Sequence, residues 1–166
     1  MRRASWWASK LRQFRSYLGA RVVPGERAAL ALWLTPPELA LFDAMHVADR
    51  RHGLDVVATL RGQGVDDREV LLAGLLHDAG KGPAVGLWPR VAWSLGEAWG
   101  PWVVALAGRL PGFGPPLERL RRHAELSAAL AAAAGCPART VALIRDQAAP
   151  RDPRYGELLK LADEAN

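Results

Sequence analysis

The sequence has very little cysteine and no long uninterrupted apolar run. Cys136 is the single cysteine in 166 residues, so no disulfide can form within the chain, and such sparing use of cysteine is typical of the reducing cytoplasm. The most apolar stretch, residues 87–110, is interrupted by charged residues, glycine and proline, whereas a membrane-spanning helix needs about 18 consecutive apolar residues. We therefore predict a cytoplasmic protein without disulfides and without a transmembrane helix.

Acidic residues are scarce at the N-terminus. The leader, residues 1–27, holds seven Lys/Arg against one acidic residue, which accounts for the whole basic excess behind the net charge of +5. Its basic residues also interrupt any apolar run, so we predict no signal peptide. Because the remainder is close to neutral and carries no recognised nucleic-acid-binding motif, we expect no specific nucleic-acid partner.

The leader also mixes aromatic with basic residues, as helices at membrane interfaces do. Its aromatic members include Trp6, Trp7, Phe14 and Tyr17. One interpretation is peripheral contact with an anionic membrane, at the inner membrane surface. The other is an ordinary amphipathic helix that packs on the body of the protein.

Helix start and stop signals divide the rest of the chain into short segments, and almost no stretch alternates as a strand would. A hydrophobic fraction of 50% and a charged fraction of 23% are typical of a globular domain. We predict an all-α fold, a compact multi-helix bundle over residues 28–166 with a Trp-rich helical insert at about 84–114. The insert carries Trp88, Trp93, Trp99 and Trp102 near helical spacing, which indicates either core packing or a contact surface.

Boundary residues predict where several of these helices begin and end. Thr35, followed by two prolines and Glu38, forms a capping box. Asp49 is predicted to cap a helix that carries His52, and Asp66 to cap the next one. Pro115-Pro116 is predicted to start one long helix that carries His123 and ends at Gly135. Asp152 is predicted to cap a last helix that runs through Asp163.

The residues with the clearest chemistry lie in the segment 75–81, LLHDAGK. His77 and Asp78 arrive together at the end of an apolar helix, where burial without partners would be costly. A metal ion removes that cost by taking an imidazole nitrogen and a carboxylate oxygen as ligands. His52 lies on a helix with an apolar face, and Asp163 lies among apolar residues near the C-terminus. The plainer interpretation is a hydrogen-bonded His–Asp pair that closes a helix end.

The order of these residues, a histidine, then His-Asp, then a distant aspartate, resembles the HD superfamily of metal-dependent phosphohydrolases over about residues 40–164. The resemblance implies an all-α HD-type phosphohydrolase domain with a metal site between helices. It also implies that His52, His77, Asp78 and Asp163 bind a divalent metal.

Two departures from the superfamily pattern limit the number of metal ions that we expect and the subclass that we can assign. Two-metal members use additional histidines, and His123 is the only residue of this chain that corresponds to one of them. We therefore expect one metal ion per chain. Mixed imidazole and carboxylate ligation suits Mn, Fe, Co, Ni or Zn, with Mg as a further candidate. The extension of cyclic-di-GMP phosphodiesterases and the acidic pair of ppGpp hydrolases are both missing, so we assign neither subclass.

The resemblance implies hydrolysis of a phosphate ester, in a nucleotide or another small phosphorylated metabolite. We predict Asp78 and Lys81 as catalytic residues, and Lys81, Arg51, Arg122 and His123 as substrate-binding residues. Lys81 could instead interact only with the helix dipole, and His123 could be a surface residue. His46 is interpreted as a core histidine rather than a ligand.

An alternative function stays open at this point. The chain could be a non-catalytic HD-fold module that senses a nucleotide or regulates a partner, with membrane association through the basic leader. The sequence leaves the oligomeric state, the metal and the role of the insert undetermined.

Overall fold

The computed structural model describes residues 19–166, and the regular secondary structure in that range is entirely α-helical apart from one short 3₁₀ turn, Ala79–Lys81. The predicted all-α fold is therefore confirmed for the described residues. Most of the predicted leader, residues 1–18, lies outside them. The helices are α1 (Pro24–Leu30), α2 (Pro36–Ala44), α3 (Val47–Gly62), α4 (Arg68–Leu76), α5 (Leu87–Trp99), α6 (Pro101–Ala107), α7 (Gly114–Arg121), α8 (His123–Ala133), α9 (Ala138–Arg145) and α10 (Gly156–Ala165).

Helix α4 is the centre of the molecule. Every residue from Val70 to Leu76 is buried, as expected from its continuous apolar sequence. It packs against α3 and α9 and also contacts α2 and α10. The main core that surrounds it draws on helices from both ends of the chain. This packing fixes the end of α4, where His77 and Asp78 lie, against several other helices.

Some predicted helix boundaries are right and others are shifted. The capping box is present, since the Thr35 N–H donates to Glu38 Oε2 at 2.8 Å. The cap of α3 was expected at Asp49, but it is His46, whose Nδ1 accepts from the Ala48 N–H at 3.1 Å. The cap of α4 was expected at Asp66, but it is Asp67. At these sites the carboxylates compete with other polar side chains near the helix start, so composition alone does not select the capping residue.

The predicted long helix through His123 is in fact two helices, α7 and α8. The chain breaks at Arg122, which has φ −105° and ψ 11°. His123 Nδ1 donates to the carbonyl oxygen of Leu120 at 2.7 Å, and that carbonyl would otherwise accept from a backbone N–H one turn later. The second helix ends as predicted near Gly135, which has a positive φ of 77°.

The Trp-rich insert forms a helical hairpin, α5 and α6, that is followed by α7. Gly100, with φ 110°, joins the two helices of the hairpin. A separate small core lies beneath them, made of Val85, Leu117 and Leu120 with partly buried Trp93 and Phe113 packed against it. The last helix was expected to start at Asp152, whereas α10 begins only at Gly156. Nowhere in residues 19–166 does a helix have both the length and the hydrophobicity needed to cross a bilayer.

Candidate metal centre

Three helices bring histidine and aspartate side chains to one point. His52 comes from α3, His77 from the end of α4 and Asp163 from α10. Asp163 Oδ1 lies 2.8 Å from His52 Nε2 and 3.2 Å from His77 Nε2. One ligand atom from each of these residues lies within 4.8 Å of the others. Residues 111 positions apart in the sequence thus form one cluster of donor atoms.

A close approach of α3 and α4 makes this cluster possible. Gly53 follows His52, and a Cβ atom at that position would overlap the carbonyl oxygen of Leu75. Because glycine has no Cβ, the two helix backbones can come together there. The imidazole rings of His52 and His77 then lie with their centroids 5.2 Å apart, edge to face.

His77 is held in one orientation and one tautomer. Its side chain is only 3% exposed, and its Nδ1 lies 2.9 Å from the carbonyl oxygen of Gly74. A carbonyl oxygen can only accept, so Nδ1 is protonated and Nε2 of the neutral ring carries a lone pair. That Nε2 is buried without a hydrogen-bond partner. It faces carboxylate oxygens of Asp163 and Asp78 at 3.2 and 3.6 Å.

A lone pair that faces two carboxylates is unfavourable unless a proton or a cation lies between them. Burial lowers the pKa of His77, but Asp78 and Asp163 outweigh it and raise that pKa to about 9. Burial raises the pKa of Asp163, but His52 and His77 outweigh it and hold that pKa well below its usual range. The cluster therefore attracts positive charge, either a proton or a metal ion.

Asp78 lies beside this cluster, between a lysine and two histidines. Its Oδ2 is 2.6 Å from Lys81 Nζ and its Oδ1 is 3.8 Å from His123 Nε2. Burial raises the pKa of Asp78, but Lys81 and His77 outweigh it and lower that pKa well below its usual range. Burial lowers the pKa of Lys81, and Asp78 and Asp49 more than compensate. Both groups are therefore charged at neutral pH.

The 3₁₀ turn after Asp78 is fixed against α8. The Gly80 N–H donates to Ser127 Oγ at 2.7 Å, and a Cβ at Gly80 would overlap the backbone of His123 and Ser127. His123 reaches the site through this contact, with Nδ1 committed to Leu120 and Nε2 directed at Asp78. Burial lowers the pKa of His123 despite the nearby Asp78, so its ring is neutral at pH 7.

The donor set of this centre is two imidazole nitrogens and one carboxylate oxygen, with the Asp78 carboxylate adjacent. Comparison with known proteins adds no family to this description. No protein-family model, curated protein or solved structure matches the chain. The mixture of nitrogen and oxygen donors is itself informative, because it suits Mn, Fe, Co, Ni or Zn better than an all-oxygen site would.

The two predicted arginines lie in other surroundings. Arg51 forms ion pairs with Glu26 at 2.6 Å and with Asp55 at 2.8 Å. Arg122 is about half exposed and forms an ion pair with Glu125 at 3.4 Å. The structure brings His52, His77, Asp163, Asp78, Lys81 and His123 together, whereas the ion pairs of Arg51 and Arg122 are with carboxylates outside this cluster. His46 serves as the α3 cap instead.

Sequence reasoning did not single out the ion pair between Asp49 and Arg90. Arg90 on α5 donates to both carboxylate oxygens of Asp49, at 2.6 and 2.7 Å, and Asp49 is buried. Asp49 precedes His52 by three residues on α3, so both lie on one helix face. That spacing was the available signal for Asp49, whereas Arg90 was only one of the charged residues that interrupt the apolar stretch 87–110. The pair ties the insert to the helix that carries His52.

Proposed function

We propose that this chain is a metal-dependent phosphohydrolase of the HD type, which hydrolyses a phosphate ester of a nucleotide or another small phosphorylated metabolite. One observation carries the proposal. The buried Nε2 of His77 has no hydrogen-bond partner and is directed, with His52 Nε2, at one oxygen of Asp163. A buried unpartnered nitrogen costs free energy, and a metal ion would recover it.

The residues fit one divalent metal ion. His52, His77 and Asp163 would hold it, and Asp78 offers a further oxygen donor 3.6 Å from His77 Nε2. The Nδ1 contact of His77 with Gly74 is the kind of outer hydrogen bond that orients metal-binding imidazoles. When bound, such an ion supplies Lewis acidity, which lowers the pKa of a coordinated water and polarises a phosphoryl oxygen.

The neighbouring residues supply charge and orientation. Lys81 provides a fixed ammonium group beside Asp78, where it can offset negative charge on a phosphate oxygen. His123 is neutral, and its Nε2 lies 3.8 Å from Oδ1 of Asp78, the carboxylate oxygen that Lys81 does not contact. It can therefore accept a hydrogen bond from a substrate or from water. These roles require no contribution from Arg51 or Arg122.

Metal analysis followed by a phosphate-release assay tests the proposal. We expect the purified full chain to carry close to one divalent transition metal ion, and to release inorganic phosphate from at least one member of a panel of nucleotides and sugar phosphates. His77→Ala and Asp163→Ala should each lose the metal and the activity while the helical circular dichroism signal persists. His46→Ala is the matched control, because His46 is a helix cap outside the cluster. Undiminished turnover after metal removal would contradict the proposal.

One observation favours a second candidate function. Asp78 and Lys81, the two predicted catalytic residues, neutralise each other at 2.6 Å. A non-catalytic HD-fold module that binds a nucleotide for sensing or regulation would have the same centre, and its Asp78–Lys81 ion pair would stay intact when the nucleotide binds. Calorimetry separates the two functions, since a sensing module binds a nucleotide with the metal present and releases no phosphate from it.

A further inference from the structure

The end of α7 lies against the turn that carries Lys81. Arg119 on this helix donates from Nε to the backbone carbonyl oxygen of Lys81 at 2.9 Å. Its guanidinium also lies directly against Gly82, where a Cβ would come within 2.7 Å of Nε. Gly82 has φ 74°, which glycine adopts without strain, so no side chain stands in the way of the arginine. Arg119 is thereby anchored to the turn that follows the His77-Asp78 pair.

A second hydrogen bond ties the same part of α7 to the centre. The carbonyl oxygen of Leu120, the residue after Arg119, accepts from His123 Nδ1 at 2.7 Å. His123 Nε2 lies 3.8 Å from Asp78 Oδ1, and Lys81 Nζ lies 2.6 Å from Asp78 Oδ2. The two hydrogen bonds therefore fix this end of α7 to both of the residues whose side chains flank Asp78.

Arg119 differs from the other cations near the centre because its charge has no acidic partner. Lys81 is paired with Asp78 at 2.6 Å, and Arg90 is paired with Asp49 at the same distance. Within residues 19–166, Arg119 forms no ion pair, and its hydrogen bond is to a neutral carbonyl oxygen. A guanidinium has five N–H donors in a planar fork, and this contact uses only the one at Nε. Its two terminal NH₂ groups are therefore available to an anion.

The surroundings of Arg119 are open to solvent. The side chains of Lys81 and His123 are 23 and 27% exposed, whereas that of Asp78 is only 3% exposed. Arg119 itself is exposed. A substrate that enters from solvent meets these partly exposed side chains before the buried carboxylate, so Arg119 lies at the rim of the centre rather than inside it.

We propose that Arg119 binds a second phosphate group of the substrate, while the phosphate ester that is cleaved lies at the candidate metal centre. This proposal rests on the proposed function and adds a substrate class to it, a molecule with at least two phosphate groups. The two NH₂ groups of an arginine match two oxygens of one phosphate group. Lys81 contacts Asp78 with the end of its side chain and Arg119 with its backbone, so the two contacts are at opposite ends of the lysine. That separation suits a second phosphate group better than the one that reacts.

Binding of matched probes to the full chain in the presence of Mn²⁺ tests this role. The probes are two pairs that each differ by one phosphate group, namely AMP with ADP, and fructose 6-phosphate with fructose 1,6-bisphosphate. We expect calorimetry to show tighter binding of the doubly phosphorylated member of at least one pair. Arg119→Gln should weaken that binding about tenfold, because charge-assisted hydrogen bonds are lost. Binding of the singly phosphorylated member should change by less than about twofold, because an exposed charge without direct contact is screened.

Two further variants separate the phosphate contact from a general effect of charge. Arg119→Lys keeps the positive charge but loses the planar fork, so it should restore part of the affinity for the doubly phosphorylated probe. Arg121→Gln is the matched control, since Arg121 is an exposed arginine at the end of the same helix and is paired with Glu118 at 2.6 Å. It should leave binding of all four probes unchanged. Metal content should stay at the wild-type level in every variant, because Arg119 donates to a backbone carbonyl and not to a predicted ligand.

Turnover of the same probes distinguishes a wrong role for Arg119 from a wrong proposed function. If phosphate is released but Arg119→Gln changes KM equally for both members of each pair, or lowers kcat alike for both, Arg119 only supports the Lys81 turn and the second phosphate site is wrong. Wild-type binding that does not differ between the members of either pair would also overturn it. If no probe is hydrolysed while Arg119→Gln still selectively weakens the doubly phosphorylated probe, the second phosphate site stands and the proposed hydrolysis does not.

Discussion

The bundle around α4 and the segment from α5 to α7 are built from equally apolar sequence, yet they use it differently. In the bundle, apolar residues from both ends of the chain close over α4. In the α5–α7 segment only three buried residues form a core, and three of its four tryptophans, Trp88, Trp99 and Trp102, are more than half exposed. The difference shows that helical periodicity predicts an apolar face but does not indicate whether another element covers that face. Substitutions in each region, taken in pairs, test this difference.

The largest expected difference is between buried leucines of the bundle and exposed leucines of the insert. Leu72 on α4 is fully buried, whereas Leu110 is 53% exposed. We expect Leu72→Ala to lower the free energy of unfolding by about 3 kcal/mol, because it leaves a cavity in the main core. Leu110→Ala should change it by less than about 0.5 kcal/mol. Urea denaturation measures both, and similar losses would mean that Leu110 is covered in solution.

The ion pair between the two regions gives the next largest effect. Arg90→Gln leaves the buried Asp49 carboxylate without its bidentate partner, and we expect a loss of about 2 kcal/mol in unfolding free energy. A further Asp49→Asn substitution should restore part of it, because the unpaired charge is removed. If the double variant is no more stable than the single one, the pair does not join the regions energetically.

A smaller effect is expected at glycines, where the two regions again differ. A methyl group at Gly53 would overlap Leu75, whereas a methyl group at Gly86, at the start of α5, would meet no atom within 4 Å. We expect Gly53→Ala to cost about 1–2 kcal/mol of stability and to weaken metal binding, since it pushes His52 away from His77. Gly86→Ala should change neither. Thermal unfolding and metal titration measure the two effects.

The smallest effect concerns Arg139 on α9, which pairs with Asp67 at 2.7 Å and Asp152 at 2.9 Å. Burial raises the pKa of Asp67, but hydrogen bonds from Arg139 and the Glu69 N–H outweigh it, so that the pKa is lowered overall. Backbone N–H donation from Tyr155, with Arg139, lowers the pKa of Asp152. Because both folded pKa values lie below the unfolded value of 3.8, this stabilisation is present above about pH 4 and is lost as the pH falls.

We therefore expect Arg139→Gln to cost about 0.5–1 kcal/mol at pH 7 and progressively less towards about pH 2. Denaturation at several pH values measures the difference from wild type. Arg145→Gln, on the exposed surface of the same helix, is the control and should show no such trend. A difference that stays constant with pH would rule out the two carboxylates as its cause.

Local signals predicted much of the fold. Thr35 and Glu38 form the expected capping box, and the apolar run of α4 ends at His77 as predicted. The break at Arg122 could not be predicted in this way. It depends on a hydrogen bond from the His123 imidazole to the backbone carbonyl of Leu120. This side chain competes with a backbone N–H for the same carbonyl, and hydrophobic periodicity carries no information about such competition.

The candidate site was less accessible from sequence than the fold. Spacing marks His77 and Asp78 as an unusual pair, but nothing local brings His52 and Asp163 to them, and only the resemblance suggested that set. The Asp49–Arg90 pair spans 41 residues, and the spacing of Asp49 from His52 gives no indication that Arg90 is its partner. Long-range pairing of polar groups is decided by how helices pack, which a single sequence does not state.

Two of the glycines that surround the candidate centre suggest a way to recognise distant relatives. Gly53 and Gly80 each occupy a place where a Cβ would overlap backbone, so neither can be replaced without moving an element that carries a predicted site residue. A search pattern that requires glycine directly after the first histidine and two residues after the His-Asp pair would therefore describe the spacing of the helices as well as the donor atoms. Chains that carry the ligands without these glycines should build the centre at a different helix separation.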